Sequence, residues 1–328
     1  ARAGGKPAGR LGGITAPQET RSVMNIPTQT PIYVIGSINT DMIVKADKLP
    51  RPGQTVMGGD FLMTAGGKGG NQAVAAARHG AAVSMMANLG QDIFGDQAIS
   101  RLQAEGIDCT YVGRDASQPS GVALISVDES GENHIVVAPG ANNTLTEQQV
   151  EAAFVSIPVA SIVLLQLEIP LATVSHGIAL ANKKRCRVIL DPAPAQTLPE
   201  EMLQGLYLLT PNETEAEMLT GMSVNDPNSA ERAASQLVQA GVQNVAITLG
   251  AEGVVLANHQ GSELITAPQV RALDTTAAGD CFNGSVAVGL AGGTGLREAM
   301  TFACKAASIS VTRMGAQDSM PYSHEIDA

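Results

Sequence analysis

Residues 69 to 89 read GGNQAVAAARHGAAVSMMANL. A helix-competent segment closes on Gly80, the usual helix stop, and an apolar run of strand length follows at 81–89. The alternation recurs in both directions. Apolar runs suited to strands buried on both faces stand at 32–38 (IYVIGSI), 161–168 (SIVLLQLE), 187–190 (RVIL), 206–210 (LYLLT) and 244–250 (NVAITLG). Between them lie further helical patterns ending in Gly, such as DIFGDQAISRLQAEG and SAERAASQLVQAG. Strands alternating with helices predict an α/β fold, a doubly wound, mostly parallel sheet with helices on both faces.

Two regions break this rhythm. Residues 41–63 (DMIVKADKLPRPGQTVMGGDFLM) hold short strand-like pieces between Pro and Gly turns, and GVALISVDESGENHIVVAPGAN (121–142) is two strand runs joined at DESGEN, a hairpin signal. Together they predict a small β-sheet standing off the main one, a lid or dimer surface over about 40–63 and 119–138; edge strands of the main sheet are the alternative. Residues 1–23 are Gly/Ala/Arg-rich and lack an apolar secretory core. They read as a leader outside the fold, an added extension or a transit peptide, with Met24 as the natural start. Residues 24–328 read as one domain.

The chain has 328 residues, 44% of them apolar, and a formal net charge of −11 with no Lys/Arg cluster, which disfavours nucleic acid and anionic membrane as partners. Aromatics make up 3% with no Trp, against a base-stacking platform. Cys109, Cys186, Cys281 and Cys304 are scattered without metal-ligand spacing, so disulfides and structural zinc are not expected and a cytoplasmic location is. No apolar run approaches the roughly 20 residues of a membrane span.

Four stretches carry chemistry. DTTAAGDCFNG (274–284) brings small residues up to an apolar helix. Bare amides at a helix start bind anionic oxygens, and Ala277, Ala278 and Gly279 keep side chains out of the way. Asp280 beside them is either a helix cap or a carboxylate that takes a proton from an attacking hydroxyl. TAGGKGGNQAVAAA (64–77) fits neither the P-loop nor G-x-G-x-x-G; it is a plain Gly-rich turn or a backbone open to a polyhydroxylated ligand. In TPNETEAEMLTG (210–221), Asn212 and Glu215 lie one turn apart at a helix opening, as dipole compensation or as an aid to Mg²⁺. TLGAEGVV (248–255) is a Gly-bracketed turn at a strand end, where open parallel sheets bind ligands.

In this order, GGKGGNQA, PNETEAE, TLGAEG and DTTAAGDCFNG, with GSINTD, QLE, DPAPA and VTRMGAQDSMP, resemble the ribokinase-like carbohydrate kinase family over residues 31–328. The resemblance implies a Rossmann-like fold and ATP-dependent phosphorylation of a sugar hydroxyl, D-ribose at its 5-hydroxyl being the substrate of the branch it matches. It implies Asp280 as base and the 277–280 helix start as anion hole. It places the sugar on Asn39, Asp41, Gly67, Lys68, Gly69, Gly70, Asn71, Glu168 and Asp280. It places ATP on Asn212, Thr248, Leu249, Gly250, Ala251, Glu252, Gly253, Gly279, Asp280 and Cys304. It implies Mg²⁺ with the ATP, indirectly through Glu215, and an activating K⁺ at Asp274, Thr276, Ser310, Arg313, Gly315 and Ser319, mostly through carbonyls. A homodimer through the small sheet also follows from it. Ala277, Cys281 and Cys304 depart from the residues most common in the family, the two cysteines bearing on nucleotide affinity. Other furanoses, 2-deoxyribose or a nucleoside, and a sugar-binding regulator without activity are the rival readings. The histidines (His79, His134, His176, His259, His324) are not grouped and read as surface or packing residues.

Overall fold

The fold is that of a computed structural model, which describes Ala1, residues 30–129 and residues 132–326. The rest of the expected leader, Met24 and the tip of the DESGEN turn lie outside the described residues. In chain order the elements are β1 (Ile32–Ile35), β2 (Asn39–Ala46), β3 (Gly58–Gly66), α1 (Lys68–Arg78), β4 (Val83–Gly90), α2 (Ile93–Ala104), β5 (Asp108–Asp115), β6 (Gly121–Val127), β7 (Asn133–Ala138) and α3 (Glu147–Phe154). There follow β8 (Ile162–Leu165), α4 (Leu171–Lys183), β9 (Arg187–Leu190), α5 (Glu200–Leu203), β10 (Leu208–Leu209), α6 (Glu213–Thr220), α7 (Pro227–Gln239) and β11 (Asn244–Thr248). The chain ends with β12 (Val254–Asn258), β13 (Gly261–Ile265), α8 (Ala278–Ala291), α9 (Leu296–Ser310) and α10 (Ser323–Ile326).

The described residues form a nine-stranded sheet in the order β13-β12-β11-β10-β9-β8-β1-β4-β5. Strands β5 through β11 in that order are parallel, and β12 and β13 return antiparallel at the edge, a hairpin absent from the expected strand set. Period-two alternation divides the core. Ile32 and Val34 face a layer built on α1, α8 and α9, whereas Tyr33 and Ile35 face one built on α3, α4 and α7. Two expected strands are shorter than read. The run at 161–168 leaves the sheet after Leu165, so Gln166 to Glu168 are free to face a site, and 206–210 contributes only Leu208 and Leu209.

The chain winds outward from β1 to β4 and β5 in one direction and from β8 to β11 in the other. The order therefore reverses between β1 and β8, and open sheets bind ligands at the carboxyl ends of strands at such a point. Over that end stands a separate four-stranded sheet, β3-β2-β6-β7. It is mixed: β2 runs antiparallel to β3 but parallel to β6, and β6–β7 is the hairpin read at DESGEN. The edge-strand alternative is thereby set aside.

Candidate active site

The Gly-rich stretch is open because its first helical turn sits on backbone. Gly67 has φ +83°, and a Cβ there would lie 2.6 Å from the Asn39 nitrogen; at Gly69 it would lie 2.7 Å from the Ser37 nitrogen. Helix α1 therefore starts in contact with the β1–β2 connection, and its opening residues meet the end of β8. Ser37 Oγ donates to Glu168 Oε2 (2.5 Å), as does the Lys68 backbone N–H (3.1 Å). Glu168 Oε1 keeps no hydrogen bond among the described residues. Asn142 Nδ2 donates to Asn39 Oδ1 (2.7 Å), which leaves the Asn39 amide N–H₂ for a ligand. Asp41 is buried, and its carboxylate makes no hydrogen bond to the described residues. Burial, then the charges of Glu168 and Asp280, push its carboxyl from 3.8 up to about 7. Asn39, Asp41, Lys68, Asn71, Glu168 and Asp280 thus come together.

Asp280 does not cap its helix. The N-cap of α8 is Ala277, in the left-handed region at φ +59° and without a side-chain cap, and Asp280 is the third helical residue. Its side chain turns inward: Oδ2 accepts from Asn71 Nδ2 (2.8 Å) and Oδ1 from Gln72 Nε2 (3.1 Å). Burial raises its pKa, while Lys68 and these two amides work the other way. Burial also opposes the Lys68 charge, but Asp191, Asp280, Glu168 and Glu215 around it raise its pKa and keep the ammonium. Asp191, just past β9, is likewise raised by burial against the pull of Lys68.

Asp191, Gln72 and Gln166 carry no role in the sequence reading, although DPAPA, GGKGGNQA and QLE contain them. Their signal was polarity at buried positions. Along α1 from Gly69 to Ala76 every residue is buried, and all but Asn71 and Gln72 are Gly, Ala or Val.

On the other side of the α8 start lies a cavity of about 250 Å³, mostly apolar, lined by Thr248, Gly250, Ala251 and Gly253 of the strand-end turn, by Ala278 and Gly279, and by Cys304. Phe282, Pro268 and Val311 complete a slot suited to a flat ring. A Cβ on Gly279 would meet nothing within 4 Å, so that backbone is open to a ligand. Four residues expected at the nucleotide do not line this cavity. Leu249 is buried in the core, Glu252 points outward, and Asp280 faces Asn71 and Gln72. Asn212 reaches it only through a bridge to Thr248. Burial pushes the Cys304 thiol up to about 11 and that of Cys281 to about 12, so both are inert packing groups, and all four cysteines are free.

Asn212 and Glu215 form a reciprocal capping box, Glu215 N–H donating to Asn212 Oδ1 (2.9 Å) and Asn212 N–H to Glu215 Oε2 (2.8 Å). Glu215 is buried and its Oε1 is left without a protein partner among the described residues. Asp274 ties the two segments of the expected cation site together, Oδ1 accepting from Thr276 N–H and Oδ2 from Gly315 N–H, both at 2.9 Å. Ser310 and Ser319 turn their hydroxyls to Ala307 and Ala316 carbonyls, and Arg313 pairs with Glu325 at 2.6 Å. The Ser310 carbonyl accepts from the Arg313 N–H at 3.0 Å, whereas the carbonyls of Arg313 and Ser319 accept no backbone hydrogen bond among the described residues.

The family model described as pfkB family carbohydrate kinase matches residues 29–322. A ribokinase of Haemophilus influenzae is 43% identical over 294 residues, 90% of this chain and 96% of its own. A deoxyribokinase of Salmonella typhi is 37% identical over 291 residues, 88% and 95% of the two chains. The structure of Arabidopsis thaliana ribokinase complexed with ribose and ATP superposes with a TM-score of 0.83 at 31% identity, covering 91% of this chain and 97% of that one. The family model spans most of the described residues, and relatives 37% and 43% identical cover about nine-tenths of the sequence: the chain belongs to the pfkB family of carbohydrate kinases.

Proposed function

We propose that the enzyme transfers the γ-phosphoryl group of ATP to the 5-hydroxyl of D-ribose, giving D-ribose 5-phosphate and ADP. The observation that carries this is the position of Asp280. It lies between a polar cluster equipped for several hydroxyls and an apolar slot equipped for a base, with bare amides on the slot side. Asn39, Asp41, Glu168 and the Lys68–Asn71 turn bind the sugar, since carboxylates accept strongly from adjacent hydroxyls. The ring of ATP enters the slot beside Cys304, which points its terminal phosphate at Ala277–Gly279. Asp280 takes the proton as the hydroxyl oxygen bonds to phosphorus and the bond to the β-phosphate oxygen breaks. The helix start and the Lys68 ammonium receive the charge that develops.

Mg²⁺ would come with the ATP, the free Oε1 of Glu215 would help hold it through water, and the ion would neutralise phosphate charge. A monovalent cation, K⁺, fits the loop closed by Asp274, where the carbonyls of Thr276, Arg313, Gly315 and Ser319 accept no backbone hydrogen bond. There it would brace the anion hole. No helix of the described residues is long and apolar enough to cross a membrane, and we place the enzyme in the cytoplasm as a homodimer paired through the small sheet.

The test is Asp280→Asn. It should fold and bind both substrates while turnover falls by about 100-fold or more. Near-native turnover would remove Asp280 from the chemistry. In the same assay 2-deoxyribose should lose kcat/KM against ribose, because a missing hydroxyl leaves a site group unpaired. A preference for 2-deoxyribose would reassign the substrate.

A further inference from the structure

Gln72 is completely buried, and each of its polar atoms is engaged. Its Nε2 donates to Asp280 Oδ1 at 3.1 Å and to Asp191 Oδ2 at 2.9 Å, while its Oε1 accepts from Gln166 Nε2 at 2.7 Å. That last bond fixes which end of the amide is which. A flip would aim a carbonyl oxygen at two carboxylates and set two N–H₂ groups against each other. Gln166 Oε1 packs closely on Gly36, where a Cβ would collide with it, and has no hydrogen-bond partner among the described residues. A hydrogen-bonded chain therefore runs from the end of β8 through Gln166 and Gln72 to the first turn of α8.

We infer that Gln72, oriented by Gln166, is a positioning residue for phosphoryl transfer: one amide nitrogen holds Asp280 in its working orientation and separates it from Asp191. This rests on the reading of Asp280 as the base. Asn71 fixes the other oxygen, Oδ2, so the carboxylate plane is set from two sides and each oxygen retains a lone pair for substrate. The groups around Asp280 favour its protonation. Burial is joined by Asp41 from β2, Glu168 past β8, Asp191 past β9 and Glu215 from α6, against Lys68 from α1. Donors to the charged form oppose that, and only an amide can donate to both carboxylates while accepting from Gln166. An apolar residue of like volume would fill the space equally well, so packing does not account for a glutamine here.

The test is kinetic, on the full chain with ribose and MgATP from about pH 5.5 to 9. Gln72→Glu keeps the shape but adds an acid between two acids. It should lower kcat at neutral pH by about tenfold or more, leave both KM values within about threefold, and move the acid limb of kcat upward. Gln166→Met unlocks the amide without touching Asp280 and should move the same limb in the same direction with a loss of about threefold. It decides alone if Gln72→Glu fails to fold. Variants with a lowered melting temperature but an unmoved limb and unchanged kcat would overturn the inference and leave Gln72 as packing. Asp280→Asn separates the two readings: if it is inactive while the glutamine variants are normal, only the positioning role fails, and if it is active the base assignment fails first.

Discussion

Asp41 shows how the site holds its charge. A buried carboxyl beside Glu168 and Asp280, with no hydrogen bond to the described residues, ionises near 7 instead of 3.8. The sign follows from linkage. The folded state binds this proton more tightly than the unfolded chain, so the contribution is whole below about pH 4 and is lost as pH rises through about 7. Ionised Asp41 then costs the sugar-free protein up to about 2–4 kcal/mol. Asp41→Asn removes that cost and keeps the fit beside Gly66. We expect the variant to melt higher than the parent at pH 8, the gap closing toward pH 5, and to bind ribose weakly. A pH-independent gap in thermal unfolding would show that Asp41 ionises freely. On the proposed reading, a ribose hydroxyl would supply the missing donor and offset this cost.

Between elements, the deciding contact is α1 on α8. Gly284 lets them approach: a Cβ there would lie 2.6 Å from the Gln72 carbonyl oxygen, 2.7 Å from Ala75 Cβ and 3.1 Å from the Ala76 nitrogen. The obstacles are mainly backbone, so Gly284→Ala must push the helices apart, at about 1–3 kcal/mol. Gly284 is one turn beyond Asp280 on the same face, so the base would move away from Asn71 and Gln72. Turnover should fall about tenfold or more alongside the melting temperature, since small displacements of reacting groups are costly. Unchanged kcat in a destabilised variant would mean that the helix spacing does not set the base. The same contact explains what the sequence disclosed. Strand and helix periodicity exposed the wound sheet, and the glycines at 66–70 and 279 marked open backbone. Asp280 read equally as cap or base, because only the partner helix decides which way a first-turn carboxylate turns. Gln72 and Asp191 stayed hidden for a related reason: polarity in an apolar run was their one local mark, and the bridge itself joins acids distant in sequence.

At the scale of the molecule, the small sheet joins the site to an uncovered surface. On β2, Asn39 and Asp41 face the site, and period two turns Met42 and Val44 the other way. Met42 is in register with Met63 on β3 and Leu124 on β6, and Leu124 with Val136 on β7, so one apolar row crosses all four strands. Leu124 is 51% exposed and Val136 65%, with Phe61 at 60% on the next row. An apolar face of this extent on a free-standing sheet invites association. Under the dimer reading, a second copy covers it and stiffens the strand that carries Asn39 and Asp41. The double substitution Leu124→Glu and Val136→Glu places charge on that outer face without touching the side turned to the sugar. We expect sedimentation to give a dimer for the parent and a monomer for the variant. The ribose KM should rise at least several-fold while that for ATP, bound across α8 from the sheet, changes little. A parent that sediments as a monomer would end the dimer reading, and a monomeric variant with unchanged ribose KM would show that the sheet holds its sugar-binding strand unaided.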